Sequence, residues 1–113
     1  MNNSIRVETV LTGKNRETLI QDAQASPLAV AEAIRGNAEG EAEYGTELEW
    51  KHEHASVRVS VTARVRCGSD TQRMFAAVDH CKSIVQATLS AEVDTVAGLL
   101  KAVGGQNAGT SGD

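Results

Sequence analysis

The sequence predicts a single α+β domain in which an antiparallel sheet of about three strands carries helices packed on one face. Two neighbouring segments alternate apolar and charged residues at the period of a strand, and a later segment repeats apolar residues at the period of a helix. The 113 residues suit one domain. We expect the domain to span 1–103 and the Gly/Ser/Thr/Asn-rich residues 104–113 to form a disordered tail.

The predicted order of elements is β-α-β-β-α. Residues 4–12 alternate as a half-buried strand. Ser26 and Pro27 then favour a helix start, with Ser as the N-cap and Pro at the first helical position, and Gly36 favours its end. Between them, residues 14–25 leave both a short helix and a loop open.

A hairpin is the most regular part of the pattern. Its strands are predicted at 41–51 and 57–67, joined by the polar segment 52–56. One register places opposite charges across the strands on one face while apolar residues meet on the other, and a slip of one residue would turn the apolar set of one strand to solvent. That register pairs Glu41 with Arg66, Ala42 with Val65, Glu43 with Arg64, Leu48 with Val59 and Glu49 with Arg58.

A long C-terminal helix is predicted from the capping candidates Ser69 and Asp70 to Gly104 and Gly105. Unbroken, it would be roughly 50 Å long, which is long for a domain whose radius of gyration should be about 13 Å. We expect either a break near Ser90 or packing of its C-terminal part on another chain. The apolar positions that would form this dimer or partner surface are Leu89, Val93, Val96 and Leu100. Under that hypothesis, Val96→Glu disrupts association more than folding.

Composition limits the function classes. A net charge of −4 and a pI near 5.3 argue against strong autonomous binding to nucleic acid. A stripe of Arg58, Arg64 and Arg66 could face RNA, although a salt-bridged sheet face is the favoured interpretation. No apolar run suits a membrane span or a signal peptide, so we expect a cytoplasmic protein with reduced cysteines.

No catalytic or metal-binding constellation is predicted. His52 and His54 could share a metal on a strand, but zinc needs further ligands, and a solvated hairpin tip is favoured. Cys67 and Cys81 lie on apolar faces and are interpreted as core residues. His80 is adjacent to Cys81 on a helix, so the two side chains point about 100° apart and do not form a nucleophile–base pair. We therefore expect no enzyme activity, metal or cofactor.

Three segments carry a resemblance to a known family. Ser26-Pro27 leads an alanine-rich stretch that ends at Asn37, the hairpin has a valine-rich second strand, and Met74-Phe75-Ala76-Ala77-Val78-Asp79 opens the last helix. Over roughly residues 26–100 the chain resembles the small dimerising subunit of the KEOPS complex, which makes the threonylcarbamoyl modification of tRNA. Phe75 stands where the family pattern has Arg, and Asp79 where it has Asn, as in a diverged paralogue.

The resemblance implies a non-catalytic subunit that dimerises and docks its helices on the kinase-like ATPase subunit. A paralogous small subunit is a further implied partner, and tRNA would be met only within the complex. The partner-binding positions it implies are Leu28, Ala31, Ile34, Met74, Val78, Cys81 and Val85. The alternative left open is a free-standing homodimer that binds client peptides, as secretion chaperones do.

Overall fold

The computed structural model of the chain describes residues 3–110, apart from the side chains of His52 and of residues 102–110. In chain order, its elements are β1 (Ser4–Thr12), β2 (Thr18–Pro27), α1 (Glu32–Arg35), β3 (Gly40–His52), β4 (Ala55–Cys67) and α2 (Thr71–Thr110). The strands form one antiparallel sheet in the order β2-β1-β4-β3. The α+β prediction is confirmed, with four strands in the described residues in place of about three.

Strand β4 lies at the centre of the sheet, paired with β1 on one side and β3 on the other. Helix α2 packs over β4 and β3. Every inward side chain of β4 is fully buried beneath it: Val57, Val59, Val61, Ala63, Val65 and Cys67. Full burial of one valine contributes about 1.5–3 kcal/mol before chain entropy is subtracted, so this layer is the main source of stability.

The predicted hairpin register is confirmed at every proposed pair. Glu41 lies opposite Arg66, Glu43 opposite Arg64 and Glu49 opposite Arg58. The apolar pairs predicted on the other face are also present, and the turn between the strands has only two residues, Glu53 and His54. Charge pairing and apolar pairing specify the same register, which is why this part of the fold could be predicted.

Strand β2 was not predicted. Its sequence has no period-two pattern because all of its residues are exposed, so neither face carries an apolar row. Pairing with β1 along its whole length holds it in the sheet. Pro27 ends β2 at the sheet edge, where a residue without an N–H is tolerated.

The helix predicted from Ser26 and Pro27 is therefore wrong. The only helix in this region is the single turn α1, so Leu28 lies before it and Ala31 is its N-cap, while Ile34 lies within it. The backbone N–H of Leu28 instead donates to Asn3 O at 3.0 Å. Sheet pairing has overridden the local helix-start signal.

The N-terminus of α2 is capped as predicted and is joined to α1. Asp70 Oδ2 accepts a hydrogen bond from the Arg73 N–H at 3.1 Å, and the Arg73 guanidinium reaches Ala33 O at 3.1 Å. The turn after α1 needs glycine, since Gly36 has φ of 49° and a Cβ there would lie 2.8 Å from Arg73 Cδ. This junction closes one end of the sheet.

Helix α2 passes Ser90 without a break, so the prediction of a break there is wrong. The reason is the length of the strands beneath it. Strands β3 and β4 have 13 residues each, which extend about 43 Å at roughly 3.3 Å per residue. The molecule is correspondingly elongated, with extents of 62 × 22 × 18 Å and a radius of gyration of 18.0 Å.

The part of α2 from Leu89 to Leu100 packs on the chain's own sheet. Val96 is only 6% exposed and belongs to the core, and Leu89 and Leu100 pack against that core. The interpretation of Val96 as a partner contact is therefore wrong, because its side chain already has a place inside the domain. The helix bounds run past Gly104 to Thr110; disorder of the tail stays a prediction, and 111–113 lie outside the described residues.

We predict that Val96→Glu lowers the free energy of unfolding by about 3 kcal/mol or more, because it places a charge in an apolar core. The matched variant Leu99→Glu, three residues along the same helix but 55% exposed, should stay within about 1 kcal/mol of the parent. Urea unfolding of both variants measures this. Equal loss in the two variants would contradict the placement of Val96.

A second prediction concerns the hairpin turn, where Glu53 has φ of 57°. This left-handed conformation costs a residue with a Cβ roughly 1 kcal/mol that glycine avoids. Glu53→Gly should therefore raise stability by about 1 kcal/mol, whereas Glu49→Gly, within strand β3, should lower it by about 0.5–1 kcal/mol. Thermal unfolding that moved both variants in the same direction would show that the turn is unstrained.

Candidate functional site

An exposed apolar ridge lies on the N-terminal half of α2. It consists of Met74, Phe75 and Val78, which are 38%, 68% and 36% exposed, and we call it the Phe75 ridge. Positions three and four apart are neighbours on a helix surface, so these side chains adjoin one another. Phe75 is the most exposed large apolar side chain of the described residues. A group of this kind favours contact with another molecule over a role in the domain's own core.

The residues proposed as partner contacts separate into two groups. Met74 and Val78 belong to the Phe75 ridge, whereas Cys81 and Val85 are fully buried against the sheet. A partner cannot reach Cys81 or Val85 in this fold, so their assignment as partner contacts is wrong. The sequence pattern places all four on the same helix face, so helical spacing alone does not separate the exposed pair from the buried pair.

The segment that contains the proposed partner residues Leu28, Ala31 and Ile34 contacts α2 through α1. Leu28 and Ile34 are half-buried and pack against the core, and Ala31 is exposed. Helix α1 contacts α2, so this segment lies at the same end of the sheet as the Phe75 ridge. Further along α2, Val93 is half-buried. The α1 part of the first segment therefore lies beside α2, even though this segment is not the predicted helix.

The arginines of β4 lie on the sheet face opposite α2 and are matched by glutamates. Arg64 Nε and Nη2 donate to Glu43 Oε2 at 2.8 and 2.6 Å, and Glu41 lies 3.7 Å away. These contacts raise the pKa of the Arg64 guanidinium, the hydrogen bond to Glu43 contributing most. Arg66 Nη1 donates to Ala38 O at 3.5 Å, and Arg58 faces Glu49. This balance of charge does not favour an RNA-facing surface.

Both cysteines are buried free thiols in the core. Burial is the largest cause of the raised pKa of each thiol, and nearby acidic groups add to it: Asp70 and Glu41 for Cys67, and Cys67 itself and Glu43 for Cys81. A raised pKa removes thiolate at neutral pH, and thiolate is the form that attacks electrophiles or binds metal. The arrangement favours packing over catalysis.

Metal binding has no support in the described residues, which contain no group of three or more His, Cys, Asp or Glu side chains that could hold an ion. His54 lies in the hairpin turn, and the side chain of His52 is outside the described part. His80 Nε2 is buried and, among the described groups, has no hydrogen-bond partner. No helix of the described chain is both long and apolar enough to cross a membrane.

Two concave surfaces were missed by the sequence analysis. A polar cleft of about 380 Å³ lies between the β1–β2 loop and the β3–β4 turn, with Lys14, Arg16, Lys51, Glu53 and His54 in its lining. Lys14 and Arg16 of this cleft come from the β1–β2 loop, whereas Lys51 comes from the end of β3. Lys14 and Lys51 are 37 residues apart in the sequence, so no local motif could reveal the cleft.

The second surface is an apolar groove between the C-terminal half of α2 and strands β1 and β2. We call it the α2–β2 groove; its lining consists of Thr9, Leu11, Ile20, Asp22, Glu92, Val96, Leu99 and Leu100. Thr9 Oγ1 donates to Glu92 Oε1 at 2.9 Å across its floor. Strand β2 supplies part of the lining. Because β2 has no apolar period in its sequence, no sequence pattern indicates the groove.

No family model, curated protein or solved structure matches the chain. The resemblance to the KEOPS subunit therefore remains a hypothesis, and the surfaces described above are the basis for inferring function.

We predict that both thiols of the folded protein react with a disulfide reagent only as fast as the protein opens. Labelling at pH 8 should be slow for Cys67 and Cys81 alike and rapid once denaturant is added. Fast labelling of either thiol in the folded protein would contradict its placement in the core.

The same burial predicts a pH dependence. Because the folded-state pKa of each thiol is raised, its contribution to stability is fully present below the unfolded thiol pKa of about 8.5 and is lost as pH rises through the folded value. Unfolding midpoints should fall above about pH 9, and the fall should be smaller in the variant with Cys67→Ala and Cys81→Ala.

Proposed function

We propose that the protein is a non-catalytic binding subunit that docks the Phe75 ridge and the adjoining α1 region on another protein. The observation that carries the proposal is the 68% exposure of Phe75 beside Met74 and Val78 on a rigid helix. A partner that covered the ridge would remove apolar surface from water, which is favourable by about 25 cal/mol per Å². Aromatic anchors of this kind dominate the binding energy at protein interfaces.

Neighbouring features support a docking role for this end of the molecule. The junction of α1 and α2 is fixed by the Arg73 contact with Ala33 O and by Asn37, whose Oδ1 accepts the Ser69 N–H at 3.2 Å. The ridge is therefore presented by a preorganised backbone, which reduces the entropy lost on binding. Docking needs no reacting group, and the burial of both thiols is consistent with a non-catalytic role.

The resemblance to the KEOPS subunit indicates which kind of protein the partner would be. In a KEOPS-like assembly, the ridge would pack on helices of the kinase-like ATPase subunit, and the protein would dimerise with itself or with a paralogous small subunit. Contact with tRNA would come within the complex, and the arginines of β4 are a weak candidate for it because glutamates accompany them. Phe75 in place of the family's Arg suits a diverged paralogue with a more apolar contact.

The test is the native mass of the purified protein, alone and mixed with a KEOPS ATPase subunit, for the parent and for Phe75→Ala. We predict a stable complex with the parent and at least a tenfold loss of affinity in Phe75→Ala, which corresponds to about 1.4 kcal/mol. The matched control is Leu19→Ala, since Leu19 is 55% exposed but lies on β2.

Loss of binding in both alanine variants would contradict a localised docking site. A homodimer that does not bind the ATPase subunit and is disrupted by Phe75→Ala would instead favour the free-standing, client-binding alternative. The free energy of unfolding of Phe75→Ala should match that of the parent within about 0.5 kcal/mol, because a surface substitution at an exposed position changes stability little.

A further inference from the structure

The α2–β2 groove exists because one helix cannot cover a four-stranded sheet. Four strands about 4.8 Å apart are roughly 19 Å wide, whereas a helix with its side chains is about 10 Å across. Helix α2 packs over β4 and β3. Within the described chain, β2 has no helix above it and is exposed along its whole length. The space beside α2 is therefore the width of a second helix.

The lining has the character of a helix-binding groove at the end nearest the hairpin turns. Ile20 and Leu99 are 44% and 55% exposed, and Leu11 and Leu100 are half-buried between them. The cavity holds about 140 Å³, which is less than the roughly 300–1,000 Å³ of a small-molecule site. A single large side chain projecting from a macromolecule fits this volume better than a free cofactor.

The charge of the groove points to the chemistry of its occupant. Two carboxylates line it, Asp22 from β2 and Glu92 from α2, and no Lys, Arg or His accompanies them in the lining. Asp22 is opposite Thr9 in the β1–β2 register and so lies on the same sheet face as the groove. Thr9 donates to one oxygen of Glu92 by the bond already described, and Gln24 Nε2 donates to Asp22 Oδ2 at 3.3 Å. Each of these bonds uses one oxygen of its carboxylate, so both carboxylates can accept further donors.

From these observations we infer that the α2–β2 groove binds an amphipathic helix of a partner protein, which inserts an apolar side chain between Ile20 and Leu99 and places Lys or Arg against Asp22 and Glu92. Helix-in-groove recognition uses apolar anchors three or four residues apart, and flanking charges give orientation and specificity. This surface is separate from the Phe75 ridge and does not depend on the function proposed for that ridge.

Two other occupants, a strand added to the edge of β2 and a second copy of the chain, would make different contacts with the protein. Strand addition uses the free N–H and C=O groups of the β2 edge in the plane of the sheet, whereas the groove lies above that plane beside α2. A second copy would bring its own Asp22 and Glu92, and the chain's net charge of −4 adds repulsion. Complementary charge therefore favours a basic helix from another protein.

The experiment uses the full chain and two synthetic amphipathic helical peptides with the same leucine stripe, one flanked by Lys and one by Glu. Titration followed by methyl NMR measures affinity and location together. We expect the Lys peptide to bind at least tenfold tighter than the Glu peptide, with the largest shifts at Leu11, Ile20, Leu99 and Leu100, and with an affinity that falls as salt rises.

Three variants assign the effect to the groove. The double variant Asp22→Asn with Glu92→Gln keeps hydrogen-bond acceptors but removes both charges, and it should weaken the Lys peptide about tenfold. Leu99→Arg, at an exposed position, should abolish binding. Phe75→Ala should leave the affinity unchanged, which distinguishes failure of this inference from failure of the function proposed for the ridge.

Several results would overturn the inference. These are equal affinity for the two peptides, absence of binding by either, unchanged affinity in the double variant, and shifts confined to β2 backbone amides, as strand addition would give. Self-association that involves Leu99 and excludes the Lys peptide would assign the groove to a second copy. Unfolding curves of all variants within about 1 kcal/mol of the parent establish that affinity changes come from the site.

Discussion

The fold depends on the burial of one strand. Strand β4 is paired on both sides and packs its inward side chains beneath α2 without exposure to solvent. The charge ladder on the opposite face is exposed, and each of its ion pairs is worth only about 0–1 kcal/mol. A valine of β4 such as Val59 contributes more than such a pair. The ladder selects the register, and the apolar layer stabilises the domain.

The consequences for function follow from the same packing. A single helix of this length must be matched by long strands, and β3 and β4 supply them, but its width leaves the β2 side of the sheet open. At its N-terminal half, α2 turns Cys81 into the core and leaves Phe75 in solvent. Two separate apolar surfaces therefore arise from one helix on one wide sheet.

The sequence was informative where two patterns agreed, as in the β3–β4 register, and failed where only backbone pairing decides the structure. Exposed strand β2 has no apolar period, and Ser26-Pro27 carries a helix-start signal that pairing overrides. Within the candidate site, spacing placed Val78 and Val85 on one seam, although only Val85 is buried. The burial of each position depends on which parts of α2 meet the sheet, and no local pattern in α2 encodes that contact.

The central claim is that α2 closes the core through Cys81, Val85 and Val96 and leaves the Phe75 ridge exposed. Solvent paramagnetic relaxation of side chains along α2, measured with a soluble gadolinium chelate, tests it most directly. We predict strong relaxation at Met74 and Phe75 and weak relaxation at Val85 and Val96 in the isolated protein. Protection of Phe75 equal to that of Val85, at concentrations where the protein is monomeric, would contradict the account.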